Sequence, residues 1–406
     1  MNLNDNQNLN RGLLLVYLVG FAFSCNYTNH APLKDILMVN PSFGFDNARF
    51  GLLATGMFLT HALMQIPGGH LSDVAGARKV VLIALSIVIL GNFGITFSSS
   101  YIQFISWKVF IGLGTGSSFI AGARYISQLA PAEKLAKAQA FYGASVLLGS
   151  GFVIFIVPII VRYSFLGFTN WQSAFITTAT VAVVVLICWI LFAPHPPAQE
   201  HARSNLKDLI MNRQLWILGT IQMASFGLMM VAGNWITALL KQQVAASAKE
   251  GLYLGRYLQS SPVLLNGLAS LVVLTGVVGR PLGGYLVNRT GVRLLLSVSF
   301  FLNTAACIIL ARQNISIEWI GVAILLLGTG CALPYASLFN KATQLFPGRA
   351  GAAKGLVNML GVIFILIGTP LMGYIKDITG GFYTGFAIFA GLSFLVWMLS
   401  YRLKKS

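Results

Sequence analysis

The chain has 406 residues, of which 56% are hydrophobic and only 9% charged, and its mean hydropathy is +0.76. Soluble domains carry roughly 25% charged residues, so a water-soluble globular protein is excluded and most of the surface must face lipid. The net charge of +17 comes from basic residues that stand mainly in short segments between apolar runs. This distribution is typical of membrane topology signals and argues against nucleic-acid binding.

The chain begins with a polar segment, residues 1–11, that holds one basic residue, Arg11, and is followed by a long apolar run. No small-residue cleavage site closes a short apolar core, so we expect a retained first helix and not a signal peptide. Lys and Arg favour one set of predicted loops by about two to one, which predicts that both termini lie in the cytoplasm.

Apolar runs long enough to cross a bilayer, about 20 residues each, predict an all-α membrane protein with twelve transmembrane helices. The longest polar stretch, His195 to Arg213, predicts a linker between two halves. The predicted domains are a six-helix bundle at 1–194, a cytoplasmic linker at 195–213 and a second six-helix bundle at 214–406. The predicted spans are 12–38, 49–71, 78–98, 101–129, 137–161, 171–193, 214–240, 262–287, 291–311, 317–345, 352–374 and 381–401.

Three short segments recur at nearly one spacing. The run from Gly68 to Arg78 returns from Gly283 to Arg293, with both leading glycines, the leucine, the later glycine and the arginine kept. Gly114-Thr115-Gly116 returns at 328–330, and Gln128-Leu129-Ala130-Pro131 returns in part at 344–347. The repeats indicate a duplicated six-helix unit whose halves are related by pseudo-two-fold symmetry.

The pattern Gly69-x-Leu71-x-Asp73-x-x-Gly76-x-Arg78-Lys79 resembles the motif between helices two and three of the major facilitator superfamily, and its second copy falls between helices eight and nine. The resemblance covers the whole chain and implies a secondary transporter. It also implies that this loop acts as a latch between the halves. The candidate gating residues are Gly69, Asp73, Gly76, Arg78, Gly284, Gly291 and Arg293.

The same loop has a simpler interpretation as a tight turn that sets topology without gating. On its residues alone, Asp73 can cap a helix or pair with Arg78. Asn288 replaces the acidic residue in the second copy, so we expect a carboxylate latch on one side only.

Polar residues near mid-depth of the spans predict a substrate site, because polar groups in lipid are costly and tend to face a wet cavity or one another. In the first helix, Tyr27, His30 and Lys34 share one face. The alternative is hydrogen bonding between packed helices. The candidate substrate-binding residues, from both halves, are Asn26, Tyr27, His30, His61, Gln65, Lys108, Gln222, Asn234, Trp235, Asn266, Tyr335 and Asn358.

Helix four carries two cations, Lys108 and Arg124, that lie about 160° apart around the helix and cannot face the same pathway. Lys108 stands where members of the resembled family commonly have an arginine, and lysine there keeps the charge but loses the bidentate fork. For Arg124 and for Arg280 in helix eight, we expect a structural role in which the side chain reaches the membrane surface. Pro334 predicts a kink in helix ten.

None of the ten acidic residues falls in the middle of a predicted span, and Asp35 and Glu318 come closest, at span ends. A pathway with Lys108 and histidines but no carboxylate is electropositive, so it favours an organic or inorganic anion. The alternatives are a carrier of neutral polar solutes, such as an amino acid, nucleoside or sugar, and a drug exporter. The fifth helix lacks the tight Gly-Pro pairing of drug antiporters in the resembled family.

No nucleotide-binding loop and no catalytic constellation is present in the sequence, so we expect a gradient-driven transporter and not an enzyme, with no cofactor. The four cysteines lie in apolar runs without metal-ligand spacing, and we expect no metal site. Proton coupling through His30 or His61 is one hypothesis; uniport and anion exchange are others. Short loops suggest a bacterial inner membrane, and we expect a monomer. A receptor that keeps the transporter fold is a further alternative.

Overall fold

The computed structural model describes residues 3–163, 165–168, 170–196, 206–346 and 350–403. Within these ranges the chain is helical apart from short connections and one isolated bridge between Phe165 and Phe168. The predicted all-α membrane fold is therefore confirmed. Of the predicted linker, residues 197–205 lie outside the described part of the chain.

The first half of the chain, up to Pro194, packs its helices up and down across the molecule. Its helices are α1 (Leu3–Thr28), α2 (Lys34–Met38), α3 (Asn47–Leu63), α4 (Gln65–Leu71), α5 (Ala77–Thr96), α6 (Tyr101–Leu129), α7 (Ala132–Ile160) and α8 (Trp171–Phe192). A 3₁₀ turn at Ala31–Leu33 follows α1, and a π segment at Ser72–Gly76 follows α4.

The second half, from Arg213, follows a short helix α9 (Leu206–Ile210). Its helices are α10 (Arg213–Gln222), α11 (Leu228–Lys249), α12 (Tyr253–Ser260), α13 (Pro262–Leu310), α14 (Ile317–Ala332), α15 (Pro334–Leu345), α16 (Ala350–Thr379) and α17 (Tyr383–Ser400). A π segment at Met223–Gly227 joins α10 to α11. At Pro334 the helical hydrogen-bond pattern is interrupted, with α14 ending at Ala332 and α15 beginning at Pro334, but Leu333 between them keeps helical dihedrals (φ −55°, ψ −39°), so the kink stays a prediction.

Two glycines of the repeated motif interrupt otherwise continuous helices. Gly76 has φ +90° and Gly291 has φ +78°, a region that side chains with a Cβ rarely adopt. Gly291 lies inside α13, whose 49 residues would otherwise extend about 74 Å, more than twice the hydrocarbon thickness. The chain therefore turns at Gly291 and re-enters the membrane layer.

Ten helical segments in the described residues are long and apolar enough to cross a membrane. Two of them contain the glycine turns just described, and α3 is counted in none of them. The predicted number of twelve spans stays a prediction. Each predicted span overlaps helix, but the observed helices extend past several predicted ends, for example at α11, which runs to Lys249 against a predicted end at 240.

The halves meet along two pairs of long helices: α3 lies against α16, and α7 lies against the first part of α13. The α3–α16 contact is close because Gly51 has no side chain. A Cβ built there would lie 2.6 Å from the Thr369 carbonyl oxygen and 2.7 Å from the Pro370 Cα. The Thr55 hydroxyl then donates to the Leu366 carbonyl at 2.9 Å.

Polar contacts close the molecule at the end away from the chain termini, which we call the closed end. Asp377 of α16 accepts from the Asn47 side-chain amide at 2.5 Å and from the Ala48 backbone N–H at 3.0 Å, at the start of α3. Lys241 of α11 pairs with Asp35 of α2 at 2.7 Å. Each contact joins one half to the other, so this end must separate if the halves are to open there.

Candidate substrate site between the halves

A buried arginine lies where α13 of the second half meets α7 of the first. The Arg280 side chain is 3% exposed, and its Nη1 donates to the Gly143 carbonyl oxygen at 2.5 Å. The guanidinium carbon lies 3.9 Å from the centre of the Tyr335 ring and 5.7 Å from that of Phe226. The expectation that Arg280 reaches the membrane surface is therefore wrong, because carbonyl and aromatic groups hold it inside the protein.

Local irregularities in the helices bring these groups to Arg280. Phe226 lies on the π segment between α10 and α11, and Tyr335 follows the break between α14 and α15. Helical π bulges and proline breaks are frequent at functional sites because they redirect side chains. Gly143 gives the Tyr335 ring its place, since a Cβ there would lie 2.6 Å from the Tyr335 hydroxyl.

No carboxylate forms an ion pair with Arg280 among the described residues, in which the ion pairs are Arg49–Asp46, Arg124–Asp73 and Lys241–Asp35. Its Nε also has no hydrogen-bond partner there. A buried charge without an opposite charge is costly, and cation–π contacts return only about 2 kcal/mol when desolvated. Among the described residues, therefore, no carboxylate balances the positive charge of Arg280.

Two further tyrosines surround this cation. Tyr27 of α1 is 1% exposed and interacts electrostatically with Arg280. Tyr142 of α7, the neighbour of Gly143 in the chain, is 1% exposed, and its hydroxyl donates to the Ser118 carbonyl at 3.1 Å. Tyr335, whose ring covers the Arg280 guanidinium, is only partly buried.

The two predicted histidines differ in their surroundings. His61 of α3 is 1% exposed, its Nδ1 lies 3.1 Å from the Thr115 hydroxyl, and its ring packs edge-on against Tyr27 at 5.5 Å. His30 is fully buried against Phe50 at 5.5 Å, and neither ring nitrogen has a hydrogen-bond partner among the described residues. His61 thus contacts the group around Arg280, whereas His30 packs toward the closed end.

Lys108 is fully buried inside the first half. Its Nζ donates to the Asn29 side-chain oxygen at 2.7 Å and to the Asn26 carbonyl at 3.3 Å, and it lies 5.6 Å from the Phe175 ring of α8. The Asn26 side-chain oxygen accepts from Asn92 of α5 at 2.7 Å. The structure therefore gives Lys108 and Asn26 a shared hydrogen-bond network between α1, α5, α6 and α8, away from the second half.

The remaining predicted residues are buried along the inner helices of both halves. Trp235 lies near the closed end, where its ring contacts Phe50 at 5.8 Å and its Nε1 donates to the Thr369 carbonyl at 3.0 Å. Asn358 is 5% exposed. Side-chain amide atoms without a partner among the described residues, available to water or substrate, belong to Gln65, Gln222, Asn234 and Asn266.

The repeated motif makes its observed contacts inside each half. Asp73 pairs with Arg124 at 3.0 Å, so the predicted pairing with Arg78 is wrong. Arg78 instead donates to the Ile190 and Ala193 carbonyls at the end of α8, at 2.9 and 3.1 Å. A helix C-terminus has carbonyls without internal partners, and a cation there is favourable.

The second copy repeats this arrangement. Arg293 donates to the Leu403 carbonyl just beyond α17, at 3.4 Å. Each motif arginine therefore holds the last helix of its own half. Gly69 has only Ile120 within 4 Å of a built Cβ, and Gly284 has Ala336 at 3.2 Å. These contacts match the turn interpretation, and the latch between halves stays a prediction.

A multi-pass helical membrane protein with two repeated halves and a buried polar site between them is the class that the fold defines. The family comparison agrees: the Major Facilitator Superfamily model matches residues 16–253 and 236–406. The chain belongs to this superfamily.

Several curated relatives cover most of the chain at low identity. One named "Putative tartrate transporter", from Agrobacterium vitis, is 24% identical over 97% of this chain and 89% of its own length. One named "Probable sulfoacetate transporter", from Cupriavidus necator, is 22% identical over 94% of this chain and 89% of its own. A "Probable nitrate/nitrite antiporter" from Thermus thermophilus is 22% identical over 89% of this chain and 84% of its own.

Arg280 is the residue that sequence reasoning missed. It lies 11 residues before the turn at Gly291, which at 1.5 Å per residue is about 16 Å, near the middle of a hydrocarbon core about 30 Å thick. It is also the repeat equivalent of Gln65, since 280 minus 65 is the offset of 215 that relates Gly68 to Gly283. Arg280 could therefore have been identified from its predicted depth in the membrane and from its equivalence to Gln65 in the repeat.

Proposed function

We propose that this protein is a secondary active transporter that carries a small organic or inorganic anion and holds it at Arg280. The observation that carries the proposal is the buried guanidinium between the halves, which has no carboxylate partner among the described residues. An arriving carboxylate, nitrate or sulfonate supplies the missing negative charge, and arginine offers it several donors in one plane. The relatives named for tartrate, sulfoacetate and nitrate transport support the same class of substrate.

Transport would proceed by alternating access, with the two halves rocking around a site near mid-membrane. The closed end would open when the Asp377 cap on α3 and the Lys241–Asp35 ion pair separate. The substrate contacts both halves through Arg280 and Tyr335 on one side and Tyr27 and Tyr142 on the other. Binding energy from both sides would then favour the passage through the occluded state.

Placement and coupling complete the proposal. Both termini lie in the cytoplasm of a bacterial cell, the protein works as a monomer in the inner membrane, and its partners are its substrate and lipid, with no enzymatic activity and no nucleic acid. Protons are the proposed coupling ion. His61 is the better candidate for the proton site than His30, because its ring contacts Tyr27 beside Arg280.

Flux into proteoliposomes tests the proposal. Labelled tartrate, nitrate and sulfoacetate would be compared with glucose and alanine, with and without a pH gradient. We expect uptake of at least one anion and none of the neutral solutes, and faster uptake with an inward proton gradient. Uptake confined to the neutral solutes would refute the anion assignment, and gradient-independent accumulation would refute proton coupling.

The matched control removes one positive charge from an exposed position outside the proposed site. Arg280→Gln should abolish anion uptake, whereas Arg256→Gln, at an exposed arginine in α12, should leave it unchanged. Equal loss in both variants would mean that overall charge, and not the site, governs transport.

A further inference from the structure

An electropositive cavity lies at the closed end, on the boundary between the halves and apart from Arg280. Its volume is about 270 Å³. The first half contributes Lys34 and Asp35, and the second half contributes Lys241, Gln242, Lys376 and Phe382, together with the small side chain of Ala238. Three lysines therefore face one carboxylate in a space that exists only while the two halves are together.

The charges in this cavity are incompletely balanced. Lys241 is paired with Asp35 at 2.7 Å. Lys376 donates to the Gln242 side-chain oxygen at 2.5 Å and also to the Gly380 carbonyl, both neutral acceptors. Lys34 lies 5.9 Å from the Trp235 ring centre and is partly buried. Asp377, the other nearby acid, is engaged in capping the start of α3.

Lys34 and Lys376 belong to different halves and repel each other across the cavity. A small divalent oxyanion placed between them would replace this repulsion with two attractions, at partial burial where charge interactions are stronger than in water. Each half supplies one ammonium, so the full set of contacts forms only when the end is closed. A ligand that binds one of two states better shifts the population toward that state.

We propose that the closed-end cavity is an anion-binding site, separate from Arg280, whose occupant holds the two halves together at this end. The ligand class is a small divalent oxyanion such as sulfate or phosphate. Occupation slows opening of this end, so high concentrations of such anions on that side inhibit turnover. This regulation does not depend on which substrate the central site carries.

The test measures thermal unfolding of the full-length protein in nanodiscs during titration with sodium sulfate. Sulfate also stabilises proteins generally by exclusion from their surface, so the relevant signal is a saturable part that exceeds the effect of sodium chloride at equal ionic strength. We expect this saturable part in the wild type and in Arg280→Gln. Lys34→Gln and Lys376→Gln, tested separately, should each raise the half-saturating sulfate concentration at least about tenfold.

The matched control is Lys249→Gln, which removes the same charge from an exposed position at the far end of α11 and should leave the titration unchanged. Equal weakening in Lys249→Gln and in the cavity variants would show a general charge effect and overturn the proposal. Loss of the saturable part in Arg280→Gln alone would assign sulfate to the central site and also overturn it. If sulfate gave the wild type no saturable stabilisation, the proposal would also be overturned.

Hydrogen exchange gives a second readout that reports on the closure itself. The backbone N–H of Ala48 donates to Asp377 across the halves, so opening of this end exposes it. Sulfate should slow exchange in the peptide at the start of α3 in the wild type but not in Lys34→Gln or Lys376→Gln. Unchanged exchange in the wild type at saturating sulfate would refute the holding role even if sulfate binds.

Discussion

Two buried cations, Arg280 and Lys108, have opposite kinds of surroundings. Lys108 has an oxygen ligand from a side chain and another from the backbone, both in the first half. Arg280 has one carbonyl, one stacked ring and an Nε without a partner among the described residues. Lys108 uses two of its three N–H donors inside the first half, whereas the Arg280 hydrogen bond to Gly143 uses one of five, so the larger free donor capacity points to Arg280.

Arg280→Lys tests whether the shape of the cation matters as well as its charge. Lysine keeps the positive charge but loses the planar fork and the stacking on Tyr335. We expect uptake to persist with a KM for the anion raised about tenfold, equivalent to about 1.4 kcal/mol, measured from initial rates in proteoliposomes. A KM within twofold of the wild type would contradict the fork argument.

Lys108→Met separates a substrate ligand from a positioning residue. Methionine has a similar length and removes a buried charge together with the cost of desolvating it, although Asn29 loses its partner. We expect the KM for the anion to change less than about threefold, or about 0.7 kcal/mol. A loss of anion uptake as deep as that of Arg280→Gln, in protein that remains folded, would place Lys108 in the binding site after all.

For individual residues, the sequence predicted which polar side chains are buried in the spans, but not which residues those side chains contact. That Lys108 and Asn26 would be buried followed from their position in apolar runs. That they would contact α5 and α8 depended on which way α1 and α6 are rotated, and a helix with polar groups on several faces does not reveal its rotation. For Arg280, a count of residues from the Gly291 turn would have given the depth.

The elements that matter for function are those where regular helix is interrupted. The π segment before α11 and the break before α15 bring aromatic rings to Arg280, and the glycine turns at Gly76 and Gly291 reverse the chain. The proline and the two motif glycines made three of these four sites predictable from sequence. The π segment was not predictable, because its five residues, Met223–Gly227, carry no sequence signal for an inserted residue.

Gly51→Val tests the close contact between α3 and α16. The added side chain would meet backbone atoms of Thr369 and Pro370, which cannot rotate away, so overpacking should cost about 1–3 kcal/mol in the closed state. We expect folded protein with transport reduced at least about fivefold and faster hydrogen exchange at the start of α3.

Gly391→Val is the matched control for this substitution. Gly391 lies in α17, and a Cβ there meets nothing within 4 Å, so transport should remain at the wild-type level. If both variants transported normally, the closed end would not depend on the α3–α16 contact.

Asp73→Asn tests the motif turn. The change removes the charge that pairs with Arg124 at 3.0 Å while keeping the size of the side chain. We expect impaired flux with little loss of folded protein, because a half-exposed ion pair contributes no more than about 1 kcal/mol to stability. Thermal unfolding and initial uptake rates measure the two effects. Unchanged flux would refute the latch interpretation and support the interpretation of this loop as a tight turn that sets topology.

On the scale of the whole molecule, the repeat explains both the symmetry and its departures. Equivalent arginines, Arg78 and Arg293, each contact the last helix of their own half, as expected if each half is to move as a unit in the proposed transport cycle. Equivalent positions at the centre carry different groups, Gln65 in one half and Arg280 in the other. In the proposed mechanism, this one charge between two similar bundles is the single site that the halves expose in turn.

The repeat and the motif were sufficient to predict the fold class, and the absence of acids in the spans favoured an anion. The sequence reasoning relied on Lys108, however, which lies inside the first half, whereas Arg280 lies between the halves and is the residue that we propose. The preference for an anion is the same for either residue, because any buried unpaired cation makes the pathway electropositive. Which residue binds the anion depends on the packing between the halves, which the sequence does not reveal.

The central claim is that the Arg280 guanidinium binds the transported anion. Isothermal titration of the purified protein with the anion that proteoliposomes accumulate measures it directly, in the wild type, Arg280→Gln and Arg256→Gln. The account predicts that Arg280→Gln weakens binding at least about 30-fold, as expected when one partner of a buried charge pair is removed, while Arg256→Gln binds like the wild type. Equal affinity in all three proteins would contradict it.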